Sequence, residues 1–341
     1  MRKLLVLVVM LGCGGDKRAP SAPAPAPTPA ETRPREQTYI DKLDALRRLI
    51  KEGELNAALK AARELMDDHR IDAEGFVVIA TAYQVVGNGE EALRAAKAAT
   101  EKDPKYAAGW VAIGAAQRTL GYFSDAEAAL QRALELDPQS RAARFNLAGI
   151  AADKGQHDKA RAELTTLVEA DPDDFETRYL LATTYLSQKE LGPAREQLAK
   201  IIERFPQHFR AQRTLAALAW AEGNYKKAFE RATIAARLQP DDAEAQRLLE
   251  GSFYIFAASR LVCEAGARPW PADKVVAVLD KLARDEGLDG AASFVDLDER
   301  FGNDATVQGR IANAVTAAGC TVPTPADPDA GTMKAPSDTT P

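Results

Sequence analysis

Residues 107–140 read AAGWVAIGAAQRTLGYFSDAEAALQRALELDPQS. On each side of Gly121, apolar residues recur three and four positions apart, which is the spacing of one buried helix face. Gly121 permits a tight turn between the two segments, and Pro138 ends the second because proline cannot continue a helical hydrogen-bond ladder. The stretch therefore predicts a hairpin of two α-helices.

The same pattern returns every 34 residues. The prolines at this spacing are Pro104, Pro138, Pro172, Pro206 and Pro240. Alanine fills a second column without exception, at Ala58, Ala92, Ala126, Ala160, Ala194 and Ala228. Glycine fills the turn column at Gly53, Gly87, Gly121, Gly155 and Gly223, and Lys189 is the departure. We expect the alanine column to lie where the two helices cross, because a larger side chain would push them apart.

These columns resemble the tetratricopeptide repeat family. The residues at the family's consensus positions in the third repeat are Trp110, Ile113, Gly114, Gly121, Phe123, Ala126, Leu130, Ala133, Leu136 and Pro138. Six repeats cover residues 39–242, and they begin at Tyr39, Ala73, Ala107, Arg141, Phe175 and Phe209. The resemblance implies an all-α fold, a right-handed superhelical solenoid of helix pairs with a concave inner face.

The N-terminus is typical of an exported protein. Arg2 and Lys3 precede an apolar run, Leu4 to Leu11, that is too short to span a bilayer. Met10-Leu11-Gly12-Cys13 resembles the bacterial lipoprotein signal. That resemblance implies a signal peptide over 1–12 and a lipid on Cys13, and Gly14 favours the outer membrane. The alternative is a plain secretory signal with a coincidental cysteine.

A proline- and alanine-rich segment follows Cys13. Residues 13–38 contain Pro20, Pro23, Pro25, Pro27, Pro29 and Pro34. Such composition favours an extended, disordered tether, which reaches about 3.1 Å per residue in the polyproline conformation. A lipid followed by a stiff tether would hold the body near a membrane but away from its surface.

The first helix of each repeat is expected to line the concave face. Its inward positions give apolar and aromatic side chains with arginine at intervals: Val77, Val111, Arg118, Phe145, Tyr179, Leu186, Arg213 and Trp220. We interpret these residues as a groove that binds an extended peptide or an amphipathic helix of a partner. The alternative is that some of them pack between neighbouring repeats.

Residues 243–322 depart from the 34-residue pattern. A segment from Ala243 to about Ala265 predicts a helix that caps the stack, and helices are predicted over 273–286, 291–301 and 305–318. Residues 323–341 are rich in Pro, Asp, Thr and Ser, which indicates a disordered tail. Cys263 and Cys320 remain once Cys13 is lipidated, so the exported chain is expected to form a disulfide between them. Two buried free thiols are the alternative.

Composition and motifs argue against several functions. The net charge is −6, which disfavours nucleic-acid binding. His69, His157 and His208 are far apart and have no partner at metal-ligand spacing. No phosphate-binding loop or catalytic serine motif is evident. We expect no metal, no cofactor, no small-molecule substrate and no catalysis.

The lipid, the tether and the repeats together predict a non-catalytic scaffold of the bacterial cell envelope. It would be anchored in the outer membrane with its body in the periplasm, and it would bind envelope proteins. Six repeats on a lipoprotein also resemble the pilotins that assist assembly of the type IV pilus secretin. From a different class, an enzyme with its site in residues 270–322 is the remaining alternative; there Asp296, Asp298 and Glu299 are interpreted as a solvated face.

Overall fold

The computed structural model describes residues 34–68, 70–266, 268–286 and 291–320. The predicted signal peptide, Cys13 and the predicted tail at 323–341 lie outside these residues. Within them the chain is entirely α-helical, without a strand, which confirms the all-α prediction. The helices are α1 (Pro34–Glu52), α2 (Leu55–Met66), α3 (Ala73–Val85), α4 (Gly89–Lys102), α5 (Ala107–Leu120), α6 (Phe123–Leu136), α7 (Arg141–Asp153), α8 (His157–Ala170), α9 (Phe175–Ser187), α10 (Leu191–Arg204), α11 (Phe209–Ala221), α12 (Tyr225–Leu238), α13 (Ala243–Ala265), α14 (Ala272–Glu286), α15 (Ala291–Phe301) and α16 (Ala305–Ala317).

Helix α1 begins at Pro34, within the segment 13–38 that the sequence assigns to the tether. Proline is favourable in a first helical turn, where its missing N–H would have no partner. The chain divides into two compact units, Met1–Glu190 and Leu191–Pro341.

Close contact at the alanine column holds together the hairpins that lie within one unit, as α5 and α6 show. All six alanines of the column are at most 1% exposed. In the third repeat, a Cβ atom added to Gly114 of α5 would lie 2.5 Å from Cγ of Leu130 and 3.1 Å from the carbonyl oxygen of Ala126, both on α6. The two helices therefore touch through backbone and small side chains, and Leu130 fills the adjoining space.

The turns within the hairpins adopt the left-handed conformation that the glycine column predicts. Gly121 has φ 82°, and the other column glycines have φ between 75° and 76°. Lys189 takes the same conformation with φ 62°. A side chain in this region costs about 1–2 kcal/mol relative to glycine, so the turn between α9 and α10 is the strained one.

Polar residues begin many of the helices and tie neighbouring repeats together. Asp174 accepts the backbone N–H of Thr177 at 3.0 Å, which caps α9. The same carboxylate accepts a hydrogen bond from Nε of Arg141 at 3.1 Å, one repeat earlier. Asp72 has the equivalent role at α3, where it accepts from the Tyr39 hydroxyl at 3.0 Å. An N-cap residue is thus also a contact between repeats.

Helix α13 is longer than the first helices of the repeats and forms the centre of an aromatic cluster. Phe253 contacts Phe229 of α12, with ring centroids 5.4 Å apart. Tyr254 is fully buried and stacks on Phe294 of α15 at 5.5 Å. Residues of α14 and α16 complete the cluster: Val278, Leu279, Leu282, Ile311 and Val315.

Cys263 and Cys320 lie at one edge of this cluster. They are joined in the structure as a disulfide, with Cα atoms 5.7 Å apart, and the bond links the last turn of α13 to a residue three positions after the end of α16. That separation is within the ordinary range for a disulfide.

Substitution of the crossing alanines tests this packing. Ala126→Leu or Ala160→Leu should lower the free energy of unfolding by about 1–3 kcal/mol, because the added carbons overfill a closed crossing. Ala128→Leu, on the exposed face of α6, is the matched control and should change stability by about 0.5 kcal/mol or less. Urea unfolding followed by circular dichroism measures all three. Equal stability of the crossing and control variants would contradict the assignment; broad transitions would not, since repeat stacks unfold by local units.

Candidate interaction surfaces of the repeats

Three apolar residues of the predicted groove lie in the core. Val77 is 1%, Val111 3% and Phe145 5% exposed. Phe145 packs in a cluster with Ala115, Ala148 and Leu164. The first helices of successive repeats contact one another directly, so side chains at this position fill the space between them. Val77, Val111 and Phe145 therefore pack between neighbouring repeats and do not line an open surface.

Arg118 is also enclosed rather than placed on a rim. Its side chain is 3% exposed, and its Nε donates to Oδ2 of Asp153 at 2.7 Å. A Cβ atom on Gly149 of α7 would lie 2.2 Å from Nη1 of Arg118, so only glycine leaves room for the guanidinium. Among the described residues, neither Nη1 nor Nη2 has an acceptor. Arg118 therefore joins two repeats and is not presented to a partner, which corrects its interpretation as a residue of the binding groove.

An equivalent contact joins the second and third repeats. Nε2 of Gln84 donates to Oγ1 of Thr119 at 2.9 Å. Gln84 and Arg118 occupy the same position of consecutive repeats, as do Thr119 and Asp153. Polar side chains of the predicted groove are thus used for contacts between repeats.

Tyr179 and Leu186 are half-buried, and they are the groove residues of the first unit that remain open to this interpretation. In the second unit, Arg213 forms an ion pair with Asp242 at 2.8 Å and lies over the ring of Phe209. Trp220 packs against Gly251 of α13, where an added Cβ would lie 2.8 Å from its ring. Arg310 of α16 covers the same indole at 5.1 Å. Both residues therefore contact the C-terminal helices.

An open groove lies elsewhere in the first unit, among α6, α7 and α8. This α6–α8 groove has a volume of about 920 Å³. Its apolar lining is Ala128 and Leu134 of α6, Leu147, Ala148 and Ala151 of α7, and Ala162 of α8. Its polar lining is Glu127, Gln131, Pro138, Arg144, Lys159, Glu163 and Thr166. A volume of this size and an apolar floor are typical of a binding cleft.

Ion pairs border the α6–α8 groove. Arg144 of α7 pairs with Glu163 of α8, and Lys154 pairs with Glu127 of α6 at 2.9 Å. These charges neutralise one another in pairs, so the floor is bordered by polar groups without a strong net charge. Such a border suits a partner segment with apolar anchors.

The sequence did not single out this groove. Its lining residues come from two repeats and include three alanines of no recurrent column. Its opening depends on the direction that Arg144 takes, and that direction is set by Glu163, 19 residues away. The periodicity of the sequence predicts the parallel helices α6 and α8, but it does not predict that Arg144 pairs with Glu163.

In the second unit, His208, Tyr254 and Asp298 hydrogen-bond within the fold. His208 accepts the backbone N–H of Ala211 at 3.1 Å, and burial together with the nearby Arg210 lowers the pKa of His208 to about 4. Asp298 accepts from the Tyr254 hydroxyl and from Arg268, each at 2.7 Å. Burial and this carboxylate raise the pKa of Tyr254. Asp298 therefore links Tyr254 of α13 to Arg268 and is not part of a solvated face.

Residues 34–68, 70–266, 268–286 and 291–320 contain no group of three or more His, Cys, Asp or Glu side chains that could hold a metal ion. No helix within these same ranges is long and apolar enough to cross a membrane.

Stacked helical hairpins with buried inter-repeat contacts and an open apolar groove define a helical repeat protein of the interaction type. The sequence profile of the tetratricopeptide repeat family matches residues 120–182 and 151–218. Residues 120–218 are therefore similar in sequence to tetratricopeptide repeats. No curated protein matches the chain.

Several solved structures are similar to the chain. A thermophilic tetratricopeptide repeat protein of Thermus thermophilus is 24% identical, with a TM-score of 0.48 over 53% of this chain and 99% of that one. PilW, a type IV pilus biogenesis factor, is 21% identical, with a TM-score of 0.48 over 62% and 99%. PilF of Pseudomonas aeruginosa is 16% identical, with a TM-score of 0.44 over 63% and 98%.

Truncation of Phe145 separates packing from binding. Phe145→Ala should lower the free energy of unfolding by about 3–5 kcal/mol, since it removes a buried ring from a closed cluster. Tyr122→Ala, whose side chain is 51% exposed, is the control and should change stability by about 0.5 kcal/mol or less. Chemical unfolding of the two variants measures the difference. A Phe145→Ala chain with a normal unfolding curve and impaired partner capture would instead favour the groove interpretation for this residue.

Proposed function

We propose that this chain is a non-catalytic scaffold that binds partner proteins in the bacterial cell envelope. The observation that carries the proposal is the α6–α8 groove, an open cleft with an apolar floor in the first unit, where the buried side chains of Phe145 and Arg118 instead fill the space between repeats. An unfilled apolar surface of this kind favours a protein partner. Tyr179 and Leu186 remain candidates for a second contact.

The envelope location in this proposal is supported by the sequence before residue 34. The charged start, the short apolar run and Cys13 suit export and lipidation, and Gly14 suits the outer membrane. The body would then lie in the periplasm, where a disulfide between Cys263 and Cys320 can form. Assistance to assembly of a type IV pilus secretin is the particular role suggested by the combination of six repeats and a lipid anchor.

Site-specific photocrosslinking in intact envelopes tests the binding surface. A photoreactive residue in place of Gln131, which lines the groove, should form a discrete adduct with an envelope protein. The control places the same group at Arg132, the next residue of α6, which is exposed but does not line the groove. Because the two positions differ only in direction, an adduct at both or at neither would contradict a binding role for the groove.

Lipidation is tested at the cysteine itself. Cys13→Ala should abolish incorporation of a fatty-acid analogue and release the protein from the membrane fraction, since the apolar run is too short to anchor it alone. Cys320→Ala is the control for loss of a cysteine elsewhere and should still incorporate the label. Continued labelling and membrane association of the Cys13→Ala chain would show that the anchor has been misassigned.

A further inference from the structure

One hydrogen bond recurs at four of the five prolines of the 34-residue column, and in each case it comes from the helix that follows the proline. The fourth residue of that helix donates, through its side chain, to the backbone carbonyl oxygen six residues earlier. The pairs are Trp110 with Pro104 at 2.9 Å, Arg178 with Pro172 at 2.7 Å, Gln212 with Pro206 at 2.6 Å and Gln246 with Pro240 at 3.0 Å. The donor is a tryptophan, arginine or glutamine side chain, whereas the acceptor is always the carbonyl oxygen of a proline in the 34-residue column.

The fourth repeat lacks this contact. Its equivalent donor is Arg144 and its equivalent acceptor is Pro138. Arg144 instead donates to Oε1 of Glu163 on α8. No side chain among the described residues donates to the Pro138 carbonyl, although Arg178 shows that arginine at this position can reach such an oxygen. The competing carboxylate explains the difference, because a charge-assisted hydrogen bond is stronger than one to a neutral carbonyl.

Pro138, the residue that carries this carbonyl oxygen, lines the α6–α8 groove. The groove has an equivalent one repeat earlier, lined among others by Thr100, Trp110, Ile113 and Gln117. Shifted by the 34-residue period, these residues correspond to Leu134, Arg144, Leu147 and Ala151 of the α6–α8 groove. The earlier groove has a volume of about 460 Å³ against about 920 Å³. The indole of Trp110 lines the earlier groove and donates to the carbonyl oxygen of Pro104. The later groove has arginine in place of the indole, and no described side chain donates to the Pro138 carbonyl.

We propose that the α6–α8 groove binds a tryptophan side chain from a segment of a partner protein. This inference rests on the proposed function and names the chemistry of the partner. The incoming indole takes the place that Trp110 holds one repeat earlier. Its ring packs on Leu147 and Ala151, and its N–H donates to the carbonyl oxygen of Pro138. Arg144, which lines the groove, supplies a guanidinium that can lie on the face of the ring.

A fluorine-labelled peptide measures this binding directly. The probe is a five-residue Ser-Gly-Trp-Gly-Ser peptide that carries 5-fluorotryptophan, titrated with the full chain and followed by ¹⁹F NMR. Binding should shift and broaden the fluorine line. A probe with 1-methyltryptophan, which lacks the N–H donor, should bind about fivefold more weakly, as loss of one hydrogen bond predicts. A probe with 4-fluorophenylalanine in place of tryptophan should also bind more weakly.

Two variants and one control locate the site. Arg144→Trp recreates the arrangement of Trp110, fills the groove from within, and should weaken binding at least tenfold while the helical signal is kept. Glu163→Ala leaves the groove open but frees Arg144 to reach Pro138, as Arg178 reaches Pro172, and should weaken binding several-fold. Arg132→Ala changes an exposed residue of α6 outside the groove and should bind like the unaltered chain.

The results separate the inference from the proposed function. Equal binding by the unaltered chain and by Arg144→Trp or Glu163→Ala overturns the assignment, and so does equal affinity for the tryptophan and phenylalanine probes. Absence of any probe binding, together with a Gln131 adduct in envelopes, overturns the tryptophan assignment but leaves the scaffold proposal standing. Self-association that Arg144→Trp abolishes, measured by sedimentation, would identify a second copy of this chain as the occupant and also overturn it.

Discussion

The close crossing of the two helices at the alanine column is the contact on which the repeat region depends. Ala126 and its equivalents are almost fully buried, and Gly114 leaves the backbone of α6 in contact with α5. Helices this close leave no room for a larger side chain at the point where they cross. Any variation between repeats must therefore occur at positions that face a neighbouring repeat or solvent. Arg118, Trp110 and Arg144 are such positions, and they account for the differences among otherwise similar units.

Much of this architecture could be predicted from the sequence because it follows from short-range periodic constraints. The proline column, the glycine turns and the alanine column fix the hairpins, and the helices of the C-terminal region fall within one residue of the bounds predicted for them. Lys189 was visible as the departure from the glycine column and is the strained turn of the set. Each of these features depends on residues less than one period apart.

The surface could not be predicted in the same way. Phe145 occupies a position that faces inward, but the depth at which it is covered depends on the distance between successive first helices. Arg118 was interpreted as a residue of the binding groove because its enclosure depends on Gly149 and Asp153 of the next repeat. Asp298 was interpreted as solvated because Tyr254, 44 residues away, is its partner. In all three cases the exposure of the residue depends on parts of the chain that are distant from it in sequence.

The fit of a large side chain over a glycine in the next repeat has a consequence for how such a gene can change in length. Arg118 lies over Gly149, and Trp220 lies over Gly251. If a duplication inserted a second copy of the third repeat, Arg118 would meet Ala115 of the copy instead of a glycine, and the methyl group would occupy the space of the guanidinium. Unequal recombination would therefore be selected against at these junctions. The pairs Arg118–Gly149 and Trp220–Gly251, whose members are three positions closer in sequence than the 34-residue period, would thus preserve the order of the repeats at these junctions.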